Sequence, residues 1–284
     1  MLQGLLFTAR EPEFQHLVSK RNYDIGKAIL NSSAQGRKKL KQLDSKFSRL
    51  VLKTMEKLLL PNIGAHYVLR KAYIESNVRK AIEQGATQII NLGAGFDTLL
   101  YRLAEENSNL NCIEIDHPAT HKIKKAALCT QSMKLNNLHF LPVDFTHQSL
   151  EEELASAAFF SQQQPTVCIL EGVLMYLTPR QIYSLFASLN TLLLPPIHLV
   201  FTAVEPPAKH PESYGPLLKL YLRLKGEPLN WLCQEQHLQT FMDASAFALQ
   251  ETANSDQFRE RFIPDYTKSL HKGEYGAVAI ATEK

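Results

Sequence analysis

Gln88-Ile89-Ile90-Asn91-Leu92-Gly93-Ala94-Gly95-Phe96-Asp97-Thr98 is the stretch on which the fold turns. A short apolar run ending in Gly-x-Gly reads as a buried strand that hands over to a tight loop. Without a Cβ, neither glycine blocks a ligand from the backbone. Further runs of the same kind follow at Leu110–Asp116, His139–Asp144, Thr166–Glu171 and Ile197–Val204. Each of the first four is followed by a stretch able to form a helix, among them the lysine-rich segment 121–130. Strands alternating with helices predict a parallel sheet covered on both faces.

The polar residues at the strand ends keep a rhythm. Gly93, Asp116, Asp144 and Glu171 recur near the ~30-residue length of a strand–helix–strand unit, each where a strand enters a loop. Ligands of open parallel sheets bind beyond the carboxyl ends of the strands, so these residues are expected around one crevice. Phe96-Asp97-Thr98 stands where a dinucleotide fingerprint has its third glycine, which favours a cofactor without a pyrophosphate. Asp116 is placed to accept hydrogen bonds from ribose hydroxyls, or alternatively to cap the helix after it. Asp144 is read as a partner for an adenine amino group with Phe145 packing on the ring, or as a turn carboxylate. Glu171 pairs with a cation, either a ligand's or the protein's own.

The remaining chain is bounded by composition. Its 284 residues are 45% hydrophobic and 21% charged, enough for a full core, and no run reaches the ~18–20 apolar residues of a membrane span. Met1–Arg10 has an apolar patch at Leu5–Phe7 without a basic lead-in, so no secretory signal is expected. Cys112, Cys129, Cys168 and Cys233 are scattered, with no C-x-x-C pair and no H-E-x-x-H among the histidines. That predicts a reducing, cytoplasmic setting and no structural zinc.

The first 60 residues read as helical. Eight of the basic residues lie between Arg37 and Lys57, against Asp44 and Glu56. Leu40, Leu43, Phe47, Leu50, Val51, Thr54 and Leu58 recur at helical spacing, predicting one basic helix over 37–57 with its apolar side packed and its lysines solvated. Such a helix is a candidate surface for a protein partner. No aromatic residue is interleaved on its charged side, which counts against nucleic acid. A second helix is predicted over Tyr67–Glu83. After Val204, helices are expected at Leu217–Arg223 and Gln234–Ala248, and strands at Arg261–Pro264 and Tyr275–Ala281, the last antiparallel and closing the sheet. The organisation is a single domain: a helical cap over 1–85, a cofactor-binding core over 86–204, a lid and acceptor region over 205–262, and a closing strand within 263–284.

With these residues in place, a resemblance is visible. Asn91-Leu92-Gly93-Ala94-Gly95-Phe96-Asp97-Thr98-Leu99-Leu100-Tyr101-Arg102-Leu103 resembles the glycine motif of the leucine carboxyl methyltransferase family, a branch of the class I S-adenosylmethionine-dependent methyltransferases. Glu114-Ile115-Asp116-His117-Pro118 looks like that family's ribose-binding turn, and Glu171-Gly172-Val173-Leu174-Met175-Tyr176-Leu177 like its motif after the fourth strand. Pro61, Ile63, Tyr67 and Arg70 are similar to its arginine-bearing segment. The resemblance implies a Rossmann-like α/β fold, mostly parallel and doubly wound, with S-adenosyl-L-methionine as cofactor and S-adenosyl-L-homocysteine as product. It implies that Gly93 and Gly95, with Asp97 and Thr98 after them, line the methionine moiety, while Asp116 binds the ribose and Asp144 the adenine. Glu171 then lies near the ammonium or sulfonium, and Arg70 binds a carboxylate of cofactor or acceptor. Lys20 looks like a further cofactor-contacting lysine, although the residues after it depart from the family's pattern.

Methyl transfer from a sulfonium is an in-line displacement that asks mainly for alignment in a dry pocket. A carboxylate acceptor, with an ordinary pKa of roughly 3.5–4.3, is already ionised at neutral pH. A hydroxyl needs a base, for which Tyr176, His117 and His121 are the candidates. The reading is therefore O-methylation of a small-molecule or peptide carboxylate, with Arg70 and Tyr176 at the reacting end and no metal. The family's tRNA-modifying members carry a long repeat region that this sequence lacks. A nicotinamide-dependent dehydrogenase predicts the third glycine and a Tyr-x-x-x-Lys pair, and neither is found. A cofactor-binding partner protein without turnover remains the non-enzymatic alternative.

Overall fold

A computed structural model of the chain describes residues 2–128, 133–144, 147–211, 213 and 229–281. Phe145, Cys129, Tyr214 and the helix expected at Leu217–Arg223 lie outside them.

Five strands run parallel: β1 (Gln88–Leu92), β2 (Asn111–Asp116), β3 (Leu138–Pro142), β4 (Thr166–Leu170) and β5 (Ile197–Val204). Every residue of β1, β4 and β5 is buried, as continuous apolar runs require when helices cover both faces. Two strands follow, β6 (Ala248–Ala253) and β7 (Glu274–Ala281), and the seven-stranded order is β3-β2-β1-β4-β5-β7-β6. β7 is antiparallel to both neighbours, with Ile197 opposite Ala281 and Val204 opposite Glu274. It is antiparallel as expected, but it lies between β5 and β6 and β6 forms the edge. The order reverses between β1 and β4, so the ligand crevice of such a sheet belongs above those two strands.

One face is covered by α5 (Ile63–Glu83), α6 (Leu99–Glu106) and α7 (Pro118–Leu128), and α1 (Leu2–Thr8), α2 (Lys20–Asn31) and α3 (Ala34–Asp44) build outward from them. Val68, Leu69, Tyr73 and Ile74 of α5 are buried in that layer. The other face is covered by α8 (Leu150–Ser156), α9 (Pro179–Leu192) and α10 (Glu235–Asp243), through Leu154, Ile182, Phe186, Leu189 and Met242. Tyr73 lies so close beneath β7 that a Cβ at Gly276 would meet its Cε1 at 2.3 Å.

Four expectations need correction. The basic stretch 37–57 is two helices, because Ser45 leaves α3 in an extended conformation and its Oγ accepts from Ser48 N to start α4 (Lys46–Leu59). The apolar side of α4 faces solvent: Phe47 is 75% and Leu58 73% exposed, and Leu50, Val51 and Met55 are exposed beside them. The lone acid of α4, Glu56, turns inward instead and accepts from Gly64 N. Helix α10 ends at Asp243, and Ala246, at φ 58°, turns the chain into β6, inside the stretch expected to be lid. Arg261 and Phe262 close helix α11 (Ser255–Phe262), set up by the Asn254–Gln257 capping box, rather than opening a strand. Among the described residues no helix is long and apolar enough to cross a membrane.

Candidate active site at the sheet's carboxyl rim

β1 leaves the sheet through Gly93 (φ 70°) and Gly95 (φ 52°), a left-handed conformation that glycine adopts without strain. At Gly93 the space is also taken, since a Cβ there would meet Val173 Cγ2 at 2.5 Å. Gly93 N and Ala94 N both donate to Ile115 O, which clamps the loop to the end of β2. Asp116 then bridges the two strand ends. Its Oδ2 accepts from Gly95 N (2.5 Å) and its Oδ1 from His117 N (2.7 Å), leaving the carboxylate half-buried at the rim. Val143 N donates to Asp116 O and brings the end of β3, and Asp144 after it, alongside. Asp144 Oδ2 is 3.9 Å from His117 Nε2. His117 Nδ1 accepts from Ala119 N.

Asp97 and Thr98 open α6. Asp97 Oδ1 accepts from Thr98 N and Leu99 N, satisfying helix-start donors, and Thr98 Oγ1 donates to Asn22 Oδ1 (2.6 Å) of α2. Burial alone would raise the Asp97 pKa, yet the Lys71 ammonium, with Lys124 and Arg102 behind it, holds it down at about 2. Lys20, at the start of α2, is exposed and touches none of these groups.

Glu171, just past β4, is deeply buried and receives two cations. Arg70 Nε and Nη2 approach its Oε1 at 2.9 Å, and Lys71 Nζ donates to its Oε2 at 3.0 Å. Lys71 Nζ is also 3.2 Å from Asp97 Oδ1. Arg70 Nη1 donates to both oxygens of Glu274 at 2.7 Å, and the guanidinium lies over the Tyr67 ring. His66 Nε2 sits 2.9 Å from Glu274 Oε2, its Nδ1 3.1 Å from Ser255 Oγ. Burial works against every charge in this chain of groups. The opposed charges prevail: Glu274 is held well below the usual carboxylate range by Arg70 and His66, and the Arg70 and Lys71 pKa values are raised.

A cavity of about 290 Å³ opens beside the loop, walled by Lys71, Gly95, Phe96, Asp97 and Thr98 on one side and by α1, α3 and α7 on the other. A second, of about 250 Å³, lies beyond Leu92 and Val173 against Leu150 and Leu177. Tyr176, in a short 3-10 turn, is partly exposed and its carbonyl accepts from Asn230 Nδ2. His121 is buried against the Phe140 ring, and desolvation lowers its pKa to about 4.

The family model for leucine carboxyl methyltransferase matches residues 9–190 of this chain. The chain belongs to the leucine carboxyl methyltransferase family. It is accordingly an S-adenosylmethionine-dependent methyltransferase. Bacillus subtilis (strain 168) YktD, described provisionally as an S-adenosyl-L-methionine-dependent methyltransferase, is 27% identical over 205 residues, which are 71% of this chain and 67% of YktD. Leucine carboxyl methyltransferase 1 of Caenorhabditis elegans is 28% identical over 160 residues, 47% of this chain and 48% of that protein. The chain thus matches about half the length of the nematode relative. A crystal structure from Thermobifida fusca YX, described provisionally as a methyltransferase, superposes with a TM-score of 0.60 at 16% identity over 90% of this chain and 94% of that one, which establishes the shared fold.

In this leucine carboxyl methyltransferase family member the rim does gather Gly93, Gly95, Asp97, Thr98, Asp116, Asp144, Glu171 and Arg70. Their chemistry suits the donor: a carboxylate fixed at the end of β2, a glycine backbone facing a cavity, and cations and anions interleaved at the cavity wall. Arg70 does bind carboxylates, but they are the protein's own Glu171 and Glu274. Asn22, Lys71 and Glu274 also meet these groups and carry no motif of their own in the sequence. Lys71 had one available signal, its place next to Arg70 in the matched segment.

Proposed function

We propose that this methyltransferase acts on an oxygen nucleophile, a carboxylate of a small molecule or of a peptide C-terminus. The observation that carries the donor half of this reading is Asp116, fixed between Gly95 N and His117 N at the strand next to the glycine loop, with the reversal of strand order directly alongside. In it, Asp116 binds the ribose, Asp144 and Phe145 the adenine, and the Gly93–Thr98 loop the methionine end. The bound sulfonium supplies an electrophilic methyl carbon. Glu171 and Asp97 place negative charge beside that cationic end, and the helices over the glycine loop exclude water.

A carboxylate acceptor is supported by the state of the rim histidines. His117 Nδ1 is occupied by Ala119 N, and His121 is buried, so a nucleophile that arrives ionised suits this site better than one needing deprotonation. The name of the nematode relative points the same way. Tyr176, beside the rim, is then a positioning group for the acceptor. The experiment is transfer of a labelled methyl group to candidate acids, scored by lability of the product in alkali. A carboxyl methyl ester releases methanol and an ether does not. Label in an alkali-stable product would transfer the reading to hydroxyl acceptors. A labelled donor that binds but gives no product with any acceptor favours the silent binding protein.

A further inference from the structure

We propose that the outward side of α4 is a docking surface for an anionic phospholipid bilayer. In it Phe47, Leu50, Val51 and Leu58 enter the boundary of the acyl region while Lys46, Lys53 and Lys57 meet lipid phosphates. Neither α4 nor the cavity at its lysine edge shares a residue with the cavity beside Gly95, so the surface stands whether or not the donor reading does.

The helix divides by chemistry around its axis. At about 100° per residue, Lys46, Lys53 and Lys57 fall within about 40° of one another. Leu50, Thr54, Phe47, Leu58 and Val51 occupy roughly the next 100°. All of these side chains are exposed. Ser48, Leu52 and Glu56 take the side turned towards the protein and are partly buried. The single acid of the helix is thus on its inner side, bound to Gly64 N, and Asp44 just before the helix is paired with Arg10. Lys53 holds Glu11 at 2.9 Å, whereas Lys46 and Lys57 have no ion-pair partner among the described residues.

The lysine edge leads into a cavity of about 320 Å³ lined by Lys53, Lys57 and Lys268, with Phe14 and Tyr266 in its wall. Glu11 and Glu56 line it too, the first paired with Lys53 and the second engaged by Gly64 N. Lys57 and Lys268 are left to balance an entering phosphate.

This layout suits lipid better than protein. The dry centre of a protein interface is poor in lysine. A second copy brings the same lysines and no acid to meet them. At a bilayer surface, a helix lying in the plane sinks its apolar side about 5–10 Å and keeps its lysines among the headgroups. With 14 residues, α4 is about 21 Å long, too short to span a bilayer and long enough to lie along one.

The test is co-sedimentation of the full chain with vesicles of phosphatidylcholine alone and of phosphatidylcholine with about one-third phosphatidylglycerol. Wild-type protein is expected to bind the anionic vesicles at least about tenfold more tightly, and less so as salt is raised. Phe47→Ser with Leu58→Ser is expected to weaken that binding by about tenfold or more at an unchanged unfolding midpoint. Lys46→Glu with Lys57→Glu is expected to remove the preference for the anionic vesicles. Equal binding to both vesicles, or to neither, overturns the proposal. So does undiminished binding by either double variant. A wild-type dimer in solution that Phe47→Ser with Leu58→Ser converts to monomer gives the stripe to a second copy and overturns it as well.

Discussion

Arg70 Nη1 donates to both carboxylate oxygens of Glu274 at 2.7 Å, tying the middle of α5 to the first residue of β7 across a sequence separation of 204. The pair is buried, and Glu171 closes the other side of the guanidinium. Truncating one partner of such a pair strands the other charge away from water. Glu274→Ala is expected to cost about 3–5 kcal/mol, read as a fall in the urea midpoint at unchanged slope. A cost below about 1 kcal/mol would mean that Arg70 finds water or another acid when Glu274 is gone.

Asp116 sits half-buried at the rim, where it also holds Gly95 N and His117 N, so the ligand-induced shift rather than the basal midpoint reports on binding. Asp116→Ala is expected to abolish most of the thermal shift given by S-adenosylmethionine, because charge-assisted bonds of about 1.5–3 kcal/mol each are lost. Wild-type protein should be stabilised by S-adenosylmethionine and S-adenosylhomocysteine in parallel scans, and not by NAD or ATP. An Asp116→Ala protein with its full shift would move the ribose elsewhere.

Acid stability follows from Asp97, whose folded pKa of about 2 lies below its ordinary value. A depressed carboxylate binds fewer protons when folded, so its contribution is whole above about pH 4 and disappears as pH falls through about 2. The stability difference between wild type and Asp97→Asn is therefore expected to be flat from neutral pH down to about 4. It should then shrink by about 2 kcal/mol towards pH 2. A difference that grew in acid would reverse the sign of the Lys71–Asp97 interaction.

Gly276 is where β7 passes over Tyr73, and a methyl group there meets the ring at 2.3 Å. Gly276→Ala should destabilise by about 1–3 kcal/mol through overpacking, and Tyr73→Leu in the same chain should recover part of it. Two additive losses in the double variant would show that the sites do not touch.

The exposed side of α4 makes an opposite forecast. Phe47→Ser and Leu58→Ser are expected to leave the unfolding free energy within about 0.5 kcal/mol of wild type, because neither side chain is withdrawn from water. Losses above about 2 kcal/mol would return these residues to a packed interior.

The parallel half of the fold was legible because it is locally written. β1, β2, β4 and β5 are mostly apolar runs, β2, β4 and β5 end at or just before an acid, and the glycine loop marks the first of them. β6 was not legible: an edge strand is half exposed, and Ala248-Leu249-Gln250-Glu251-Thr252-Ala253 has neither a continuous apolar run nor a helical period. The helical pattern of 234–248 accordingly runs on past the turn that Ala246 makes. The direction of the apolar side of α4 was illegible for another reason. Periodicity locates a stripe along a helix but not the body it meets, and here the chain mounts α4 by Glu56 and Gly64 instead.

The sequence by itself determined the five parallel strands and the set of acids at their carboxyl ends, since strand runs and loop glycines are properties of neighbouring residues. Which charge meets which was decided only by the tertiary structure. Arg70 and Lys71 are adjacent in the chain, yet one is buried between Glu171 and Glu274 and the other lines the cavity with Asp97. Their partners lie 26 to 204 positions away, and a helical turn of about 100° between successive residues is enough to give neighbours different surroundings.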